Sequence, residues 1–600
     1  MDISSLRDYY TNNIRQEKEK LAKVKQNILI ISIVRLLFVL IGGLGIYLLW
    51  ENPWQILTFL LIIIAVFLFV VKIHDKFFRK KNYIETAINY DSNELKAIDY
   101  DFSPFDGAGE RISSQHRFSM DLDVFGDKSL FQSINRTCTA YGKKLLADRF
   151  ENPLTSNAEI IRKQQSVFEL SKKPEIAKRF IVTGQLTSSE ESDLNEMKEF
   201  LQSPSFLSDY KIWKILTYLV PACWILVFVL FGTNIMSVST LSLLIIIGLV
   251  FGECKKKKID KLQALVGRKE KIFSSYSQLI NIITSEKVES ELLQDIQNRF
   301  YKENQPAGEI IKKLSKLLGD LDARFNIFAR IILNTMFLWD IRKSLAIDLW
   351  KQKYAACLVQ WIETLGEYDA LTSLSMFTYN HPEYIFPEIT EKYFIFEAKN
   401  LGHPLMNRNI CVKNDVNIPS NPYFMIVTGA NMAGKSTYLR ILGINYLLAC
   451  VGAPVCADSF KLYPASLITS LRTSDSLSNN ESYFFAELKR LKIIIDELNE
   501  GKKLFIILDE ILKGTNSIDK QKGSLALLQQ LQSLNSCGII ATHDLLLGSL
   551  ADKFPDTIKN FRFEADITGD ELTFSYKLRQ GIAENMNACF LMQKMGITIG

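Results

Sequence analysis

Residues 429–437 have the composition and spacing of a loop that binds phosphate. The run Gly429-Ala-Asn-Met-Ala-Gly-Lys-Ser-Thr437 matches the pattern GxxxxGK[ST] in full, directly after the apolar run 424–428. The two glycines let the backbone turn so that amide N–H groups face a phosphate, and the dipole of the following helix adds to the attraction. We therefore predict that ATP binds this loop, through Gly429, Ala430, Asn431, Met432, Ala433, Gly434, Lys435, Ser436 and Thr437.

Two side chains of this loop and two acidic residues further along the chain suit the chemistry of phosphate transfer. The Lys435 ammonium can neutralise the β- and γ-phosphates, and the Ser436 hydroxyl can coordinate Mg²⁺. Asp509 and Glu510 follow a second apolar run, which is typical of a buried parallel strand. We predict that Asp509 is the second Mg²⁺ ligand and that Glu510 is the general base for the attacking water.

A third apolar run, 538–542, ends at His543. A lone histidine is more often structural, but a histidine at a strand end that follows two such motifs is suited to sensing or polarising the γ-phosphate. The catalytic residues predicted from the sequence are therefore Lys435, Glu510 and His543.

The order of these motifs is that of ATPases of the ABC superfamily, and their details resemble the MutS family of DNA mismatch repair ATPases. Residues 428–440 are similar to that family's TGPNMGGKSTYLRQ, and Asp509-Glu-Ile-Leu-Lys-Gly-Thr-Asn-Ser517 is similar to its DEIGRGTST. A second block, 121–170, resembles the opening of the family's helical core, or lever, domain. The resemblance implies an α/β P-loop ATPase domain of MutS type together with a mostly α-helical core and lever region.

The resemblance also implies a homodimer, because in this family a serine-containing signature of the partner subunit completes the nucleotide site. The matching segment is 474–488, and its serine is Ser482. We therefore expect Ser482 to contact the γ-phosphate across the interface. A helix N-cap is the structural alternative for this serine, and both roles can hold at once.

Four apolar runs predict four transmembrane helices in two hairpins. The first pair, 28–50 and 54–71, is of a length that crosses a bilayer. The second pair, 215–231 and 238–252, is shorter, so a buried or re-entrant helix pair is the alternative there. Lysines and arginines flank both pairs, which by the positive-inside rule places the flanks in the cytoplasm. We expect a multi-pass protein of the cell membrane whose ATPase domain is cytoplasmic.

Together these signals divide the chain into seven segments, and several have no simple counterpart in the resembling family. The first hundred residues do not resemble its mismatch-reading domain. The predicted segments are a basic N-terminal segment (1–27), a transmembrane hairpin (28–74), a linker (75–113), the first part of the helical core (114–211), a second hairpin (212–254), the second part of the core (255–399) and the ATPase domain (400–600).

The target of the predicted ATPase stays open between two hypotheses. The first is a membrane-anchored MutS-like ATPase that moves a helical lever and acts on DNA; the second is a membrane ATPase that drives a protein or membrane partner without DNA. The net charge of +5 on 600 residues is too small to argue for nucleic acid by itself. The nine cysteines contain no CxxC pair, which argues against a disulfide framework and a zinc site.

Overall fold

A computed structural model describes residues 2–187, 191–204, 210–233, 235–267, 269–430, 432–472, 483–568 and 571–583. The chain begins with an antiparallel hairpin of two helices, Ile3–Leu48 and Pro53–Ile98, each of 46 residues. At 1.5 Å per residue each helix is about 69 Å long, more than twice the thickness of a bilayer's hydrocarbon core of about 30 Å. The hairpin therefore has room for an apolar tip and a polar stalk.

The stalk, formed by residues 3–27 and 75–98 of the two helices, occupies the segments predicted as a basic N-terminal segment and a linker. The basic segment 1–27 is helical from Ile3, and the second helix of the hairpin continues to Ile98, over much of the range 75–113 expected to be a linker. At the base of the stalk Tyr10 and Tyr90 are buried in the core. The Tyr10 hydroxyl donates to Asn380 Oδ1 at 2.8 Å, so the stalk is fixed to the rest of the molecule. A search for apolar runs does not indicate the stalk, because most of its residues are polar.

The middle of the chain is a helical core arranged around the long helix Trp339–Asn380. Trp350 and Trp361 lie on this helix, and each donates its indole N–H to a backbone carbonyl, that of Ile310 at 3.0 Å and that of Arg299 at 3.2 Å. The other core helices are Leu130–Ile134, Ala140–Glu151, Asn157–Ser171, Pro174–Gln185, Glu191–Gln202, Lys256–Val266, Lys269–Ser285, Glu291–Arg299, Ala307–Asp322 and Ile327–Phe337, with the short strands Tyr301–Lys302 and Gln305–Pro306.

A second helical hairpin, Tyr210–Gly232 and Val238–Gly252, interrupts the core. Pro221 lies within the first of these helices without ending it. Among the residues that the structure describes, three helices are long and apolar enough to cross a bilayer: both helices of the first hairpin and the first helix of the second. A fourth is obtained only if Val238–Gly252 and the next helix, which are bent by 48°, are taken together as one span.

The C-terminal third contains the sheet that the sequence predicts. Its six strands run in the order Arg579–Gln580, Ile558–Phe563, Tyr423–Gly429, Cys537–Thr542, Leu504–Asp509 and Ser466–Ser470. All neighbouring pairs are parallel except that of Arg579–Gln580. The helices of this region are Lys435–Val451, Tyr483–Asn499, Ser517–Ser533 and Leu550–Lys553. The fold is thus an α/β ATPase-type domain joined to a helical core.

Two smaller sheets complete the C-terminal region. One contains, in spatial order, Glu388–Ile389, Ser459–Leu462, Phe396–Leu401 and Asn414–Ile418. The other is the hairpin of Ala565–Thr568 and Glu571–Phe574.

The helical core and the ATPase-type domain are joined through a buried carboxylate. Asp121, only 2% exposed, accepts hydrogen bonds from Thr469 Oγ1 at 2.6 Å and from the backbone N–H groups of Leu471 and Arg472 at 3.1 and 2.9 Å. Three donors on one buried carboxylate form a strong tether. The segment 469–472 is thereby held against the core.

Candidate nucleotide site

The sheet register brings the three predicted motifs to one edge. We name the strands that carry them the P-loop strand (Tyr423–Gly429), the Asp-Glu strand (Leu504–Asp509) and the His strand (Cys537–Thr542). The His strand lies between the other two, with Thr542 opposite Thr428 and Ala541 opposite Asp509. Because the strands are parallel, their carboxyl ends meet, which is where ligands bind in sheets of this kind.

The P-loop backbone requires its two glycines. Gly429 has φ 149° and Gly434 has φ 109°, and a Cβ at Gly429 would lie 2.4 Å from the carbonyl oxygen of Phe563. No side chain fits at that distance, so the tight strand-to-loop turn depends on glycine. The helix Lys435–Val451, the P-loop helix, begins directly after Gly434 and points its N-terminus toward the loop.

Most of the predicted phosphate-binding residues line one cavity of about 690 Å³. Gly429 and Ala433 do not line it; Gly429 ends the P-loop strand, and Ala433 is buried beneath the loop. Asn431 lies outside the described residues. The predicted residues that the cavity brings together are Ala430, Met432, Gly434, Lys435, Ser436, Thr437, Asp509, Glu510 and His543.

Lys435 is buried and held by the loop itself. Its ammonium donates to the carbonyl oxygens of Gly429 at 2.6 Å and Ala430 at 3.1 Å. Burial lowers the pKa of Lys435 to about 8, even though the carboxylates of Asp509 and Glu510 oppose this shift. A buried lysine whose ammonium donates to neutral carbonyl oxygens of a phosphate-binding loop is suited to receiving a phosphate.

Ser436 and Asp509 form the pair that the sequence predicts as metal ligands. The Ser436 hydroxyl donates to Asp509 Oδ2 at 2.6 Å. Burial raises the pKa of the Asp509 carboxyl, and the hydrogen bond from Ser436 opposes the rise. Two oxygen ligands that touch each other at a phosphate-binding loop fit Mg²⁺, which keeps several waters and takes its remaining ligands from phosphate.

Glu510 is held between two cationic or hydrogen-bonding partners. His543 Nε2 lies 2.6 Å from Glu510 Oε1, and Lys513 Nζ lies 3.3 Å from Glu510 Oε2. The hydrogen bond from His543 and the charge of Lys513 lower the pKa of Glu510 to about 2. Glu510 itself has φ 50°, a backbone conformation that L residues rarely adopt. The carboxylate is thus fixed, ionised and at the cavity wall.

Several residues that line the cavity were not predicted as site residues from the sequence, and two of them, Lys513 and Tyr576, have polar groups or rings suited to a ligand. Lys513 stands three residues after Glu510, and this spacing was its only signal. Tyr576 comes from the far end of the chain, where no local pattern indicates a site. Asn414 holds the tyrosine's backbone: its side chain donates to the carbonyl oxygen of Tyr576 at 2.9 Å and accepts from the N–H of Leu578 at 2.8 Å. Together with Phe563 and Ile441, Tyr576 gives the cavity an apolar wall.

The predicted signature residue Ser482 lies outside the described residues, which resume at Tyr483. The helix Tyr483–Asn499 that follows it reaches the carboxyl edge of the six-stranded sheet through Glu487. This carboxylate is 4% exposed and accepts a hydrogen bond from the N–H of Leu512 at 2.6 Å. We name Tyr483–Asn499 the signature helix, because it follows the predicted signature residue. It is linked through Glu487 to the loop that follows Glu510.

Comparisons with known proteins agree with the geometry. The family model of MutS domain V matches residues 425–596, and that of MutS domain III matches residues 115–375. Similar proteins include the DNA mismatch repair protein MutS of Thermosipho melanesiensis, 30% identical over 43% of this chain and 32% of its own length. The corresponding protein of Thermodesulfovibrio yellowstonii is 34% identical over 37% of this chain and 27% of its own length.

A human relative extends the comparison beyond bacteria. MutS protein homolog 4 of Homo sapiens is 29% identical over 38% of this chain and 25% of its own length. The matched part of this chain thus spans about a third or less of the curated relatives. The two matched domain models of one family lie on the helical core and on the sheet that carries the nucleotide site, and the chain belongs to the MutS family.

Proposed function

We propose that this chain is an ATPase whose site is the cavity at the carboxyl edge of the six-stranded sheet. The observation that carries the proposal is the meeting of the Ser436–Asp509 pair, the Glu510–His543 pair and Lys435 around one cavity. Lys435 releases two backbone carbonyls and takes the β- and γ-phosphates. The apolar wall with Tyr576 is suited to the adenine ring.

Magnesium would be held by Ser436 and Asp509, and it would neutralise charge on the phosphate oxygens. Glu510 takes the proton of the attacking water. Because its pKa is about 2, it is ionised at neutral pH, and it becomes a stronger base when the contacts with His543 and Lys513 that lower this pKa are lost. His543 fixes the orientation of the Glu510 carboxylate, and Lys513 restrains it until a water and a γ-phosphate compete for these contacts.

We also propose that two copies of the chain form the active unit. Ser482 of a second copy would complete the site at the γ-phosphate, so ATP would be held between the two copies. The link from Glu487 to Leu512 supports this proposal, since it couples the signature helix to the catalytic loop of the same chain. Binding of ATP to one copy would thereby act on that copy's signature segment, which would face the second copy.

The helical core serves as the lever, and the apolar helices anchor it. We propose that both hairpins lie in the cell membrane, with the core and the ATPase domain in the cytoplasm, following the division of the chain at 28–74, 114–211, 212–254, 255–399 and 400–600. The tether at Asp121 supports the transmission of movement, because it joins the lever to residues 469–472, which precede the signature segment 474–488 in the chain. ATP-driven closure of the dimer would then move the lever.

Family membership supports DNA as the target of this motion. The second candidate, a protein or membrane partner, is favoured by the apolar helices. The experiment measures ATP hydrolysis by the full chain in vesicles with and without duplex DNA, with Glu510→Gln as the inactive control. Stimulation by DNA, together with DNA binding that weakens as salt rises, supports the first candidate. Hydrolysis that DNA leaves unchanged, with no salt-dependent binding, selects the second.

A further inference from the structure

The helix Ile327–Phe337 in the second part of the core, together with Phe325 just before it, exposes an apolar face. Phe325, Ile327 and Phe328 are 71%, 70% and 80% exposed, and Ile331 and Ile332 continue the same surface at 45% and 56%. Contiguous apolar patches of this kind on soluble domains mark a surface that is covered in the working protein. The sequence places this helix in the cytoplasmic core, so its covering needs an explanation.

This helix packs on the second hairpin through a pair of glycines. Gly248 and Gly252 are four residues apart in the run Gly-Leu-Val-Phe-Gly, and a Cβ on Gly248 would lie 2.7 Å from the side chain of Thr335. A Cβ on Gly252 would lie 3.1 Å from the backbone of Asn334. Glycines at this spacing let helices approach closely within membranes.

If the second hairpin spans the membrane, the contact between this hairpin and the short helix Ile327–Phe337 lies within the bilayer. The indole N–H of Trp224 donates to the carbonyl oxygen of Thr335 at 2.8 Å. Trp224 follows Ile215, where the apolar run begins, by nine residues. That spacing is about 14 Å along the helix, close to half of a hydrocarbon core of about 30 Å. The end of the short helix therefore lies between the cytoplasmic end of the hairpin, where Asn334 meets Gly252, and the middle of the bilayer.

The charges around the short helix do not oppose this placement. Its one ionisable side chain, Arg330, pairs with Glu253 at the end of the hairpin, with Nε 3.0 Å from Oε1. Arg324, just before the helix, is buried and pairs with Asp340 at 3.2 Å. Paired charges at the base and apolar side chains on the outside are the pattern expected of a segment that enters a bilayer.

We propose that Ile327–Phe337 is a re-entrant membrane helix whose exposed face contacts lipid acyl chains. With 11 residues, or about 17 Å, it is too short to cross. The inference rests on the proposed membrane anchoring and deepens it, because the short helix is continuous with the lever. Leu338 joins it to the long helix Trp339–Asn380, and Asn334 Oδ1 accepts from the N–H of Asp340 at 2.9 Å across the joint. The far end of the lever thus lies within the membrane.

The test places the photoreactive amino acid p-benzoylphenylalanine at one position at a time in the full chain. The chain is reconstituted into vesicles of phosphatidylcholine and phosphatidylglycerol and irradiated, and adducts are identified by mass spectrometry. The test position is Phe328. Phe168, 49% exposed on a core helix, is the cytoplasmic control, and Leu226, 58% exposed on the second hairpin, is the membrane control.

We expect lipid adducts at Phe328 and Leu226 and none at Phe168. Lipid at Leu226 with none at Phe328 overturns the re-entrant helix and leaves the membrane anchoring intact. A protein adduct at Phe328 assigns the face to an interface and also overturns the proposal. Absence of lipid at Leu226 as well overturns the anchoring of the second hairpin itself.

A second variant tests the glycine contact. Gly248→Leu forces the short helix away from the hairpin, so the lipid adduct at Phe328 should be lost while that at Leu226 is kept. Gly43→Leu is the matched control, because a Cβ at Gly43 meets no atom within 4 Å. An adduct at Phe328 that survives Gly248→Leu unchanged contradicts the packing on which the proposal rests.

Discussion

The imidazole of His543 and the carboxylate of Glu510 lie in direct contact, with Nε2 2.6 Å from Oε1. For this contact to be a hydrogen bond, Nε2 must carry the proton and donate it. Lys435 Nζ, 3.3 Å from the same nitrogen, then has no acceptor there and bonds the loop carbonyls instead. One imidazole nitrogen thus lies against both the predicted base and the phosphate-binding lysine.

Lys513→Met removes one of the two groups that hold Glu510 ionised. Since the lysine charge lowers the pKa of Glu510, its loss raises that pKa. The part of the acidic limb that Glu510 sets should move from about pH 2 toward the ordinary glutamate value of 4.5, so hydrolysis should fall most between these two values and change little at pH 8. Steady-state hydrolysis across the pH range measures this. Lys559→Met, at an exposed position outside the cavity, should leave the limb in place.

The affinity for ATP should fall as pH rises above about 8. Free Lys435, with a pKa of about 8, is protonated below that pH and neutral above it, while bound phosphates hold it protonated. Binding above pH 8 must then take up a proton, which weakens it by about tenfold per pH unit. Titration of a non-hydrolysable ATP analogue at pH 7 and pH 9 measures the change. A Lys435→Arg variant keeps its charge and should lack this dependence; equal dependence in both would exclude Lys435 as the cause.

Asp121→Asn should weaken the joint between the core and the ATPase domain. The amide presents a donor to a site that holds three donors, which costs about 2–3 kcal/mol. Thermal unfolding of the solubilised chain should show a lower midpoint. Asp123→Asn is the control, because Asp123 is 42% exposed and its pairs with Arg472 and Arg440 are worth about 1 kcal/mol or less. If Asp123→Asn lowers the unfolding midpoint more than Asp121→Asn does, Asp121 is not the main joint between the core and the ATPase domain.

Mixing two inactive variants tests the composite site. Ser482→Ala and Lys435→Ala should each abolish most hydrolysis as homodimers. In an equal mixture half of the dimers are mixed, and each mixed dimer has one intact site of two, so about a quarter of the wild-type activity should return. Hydrolysis by the mixture is the measurement. Recovery of no activity in a mixture that does exchange subunits would argue that each chain works alone.

The sequence predicts most of the polar residues that line the cavity, because the signals for them are local. The P-loop, the Asp509–Glu510 pair and His543 each follow a buried strand directly, and parallel pairing of those strands brings them together without help from distant segments. Lys513 also has a local position, but its contact with Glu510 depends on the unusual backbone of Glu510 and Leu512, at φ 50° and 60°. Side-chain spacing alone does not indicate such a turn.

Other features depend on long-range packing and were not predictable. Tyr576 reaches the cavity through the hydrogen bonds of Asn414, and Asp121 meets Thr469 across nearly 350 residues of chain. The stalk's helices extend beyond the apolar runs, and hydropathy does not indicate these parts because most of their residues are polar. The sequence predicts the short helix Ile327–Phe337 as part of the core. Whether an apolar face is buried or exposed depends on the packing of neighbouring elements, which the sequence does not show directly.

The most direct test of the account is single-turnover hydrolysis of ATP by the purified full chain and by its Glu510→Gln variant. The account predicts Mg²⁺-dependent hydrolysis by the wild-type chain and a loss of about 100-fold or more in the variant, with ATP binding retained. Glu500→Gln, at an exposed position, should hydrolyse ATP at the wild-type rate. Hydrolysis by Glu510→Gln at the wild-type rate, or a wild-type chain that binds ATP and does not cleave it, would contradict the account.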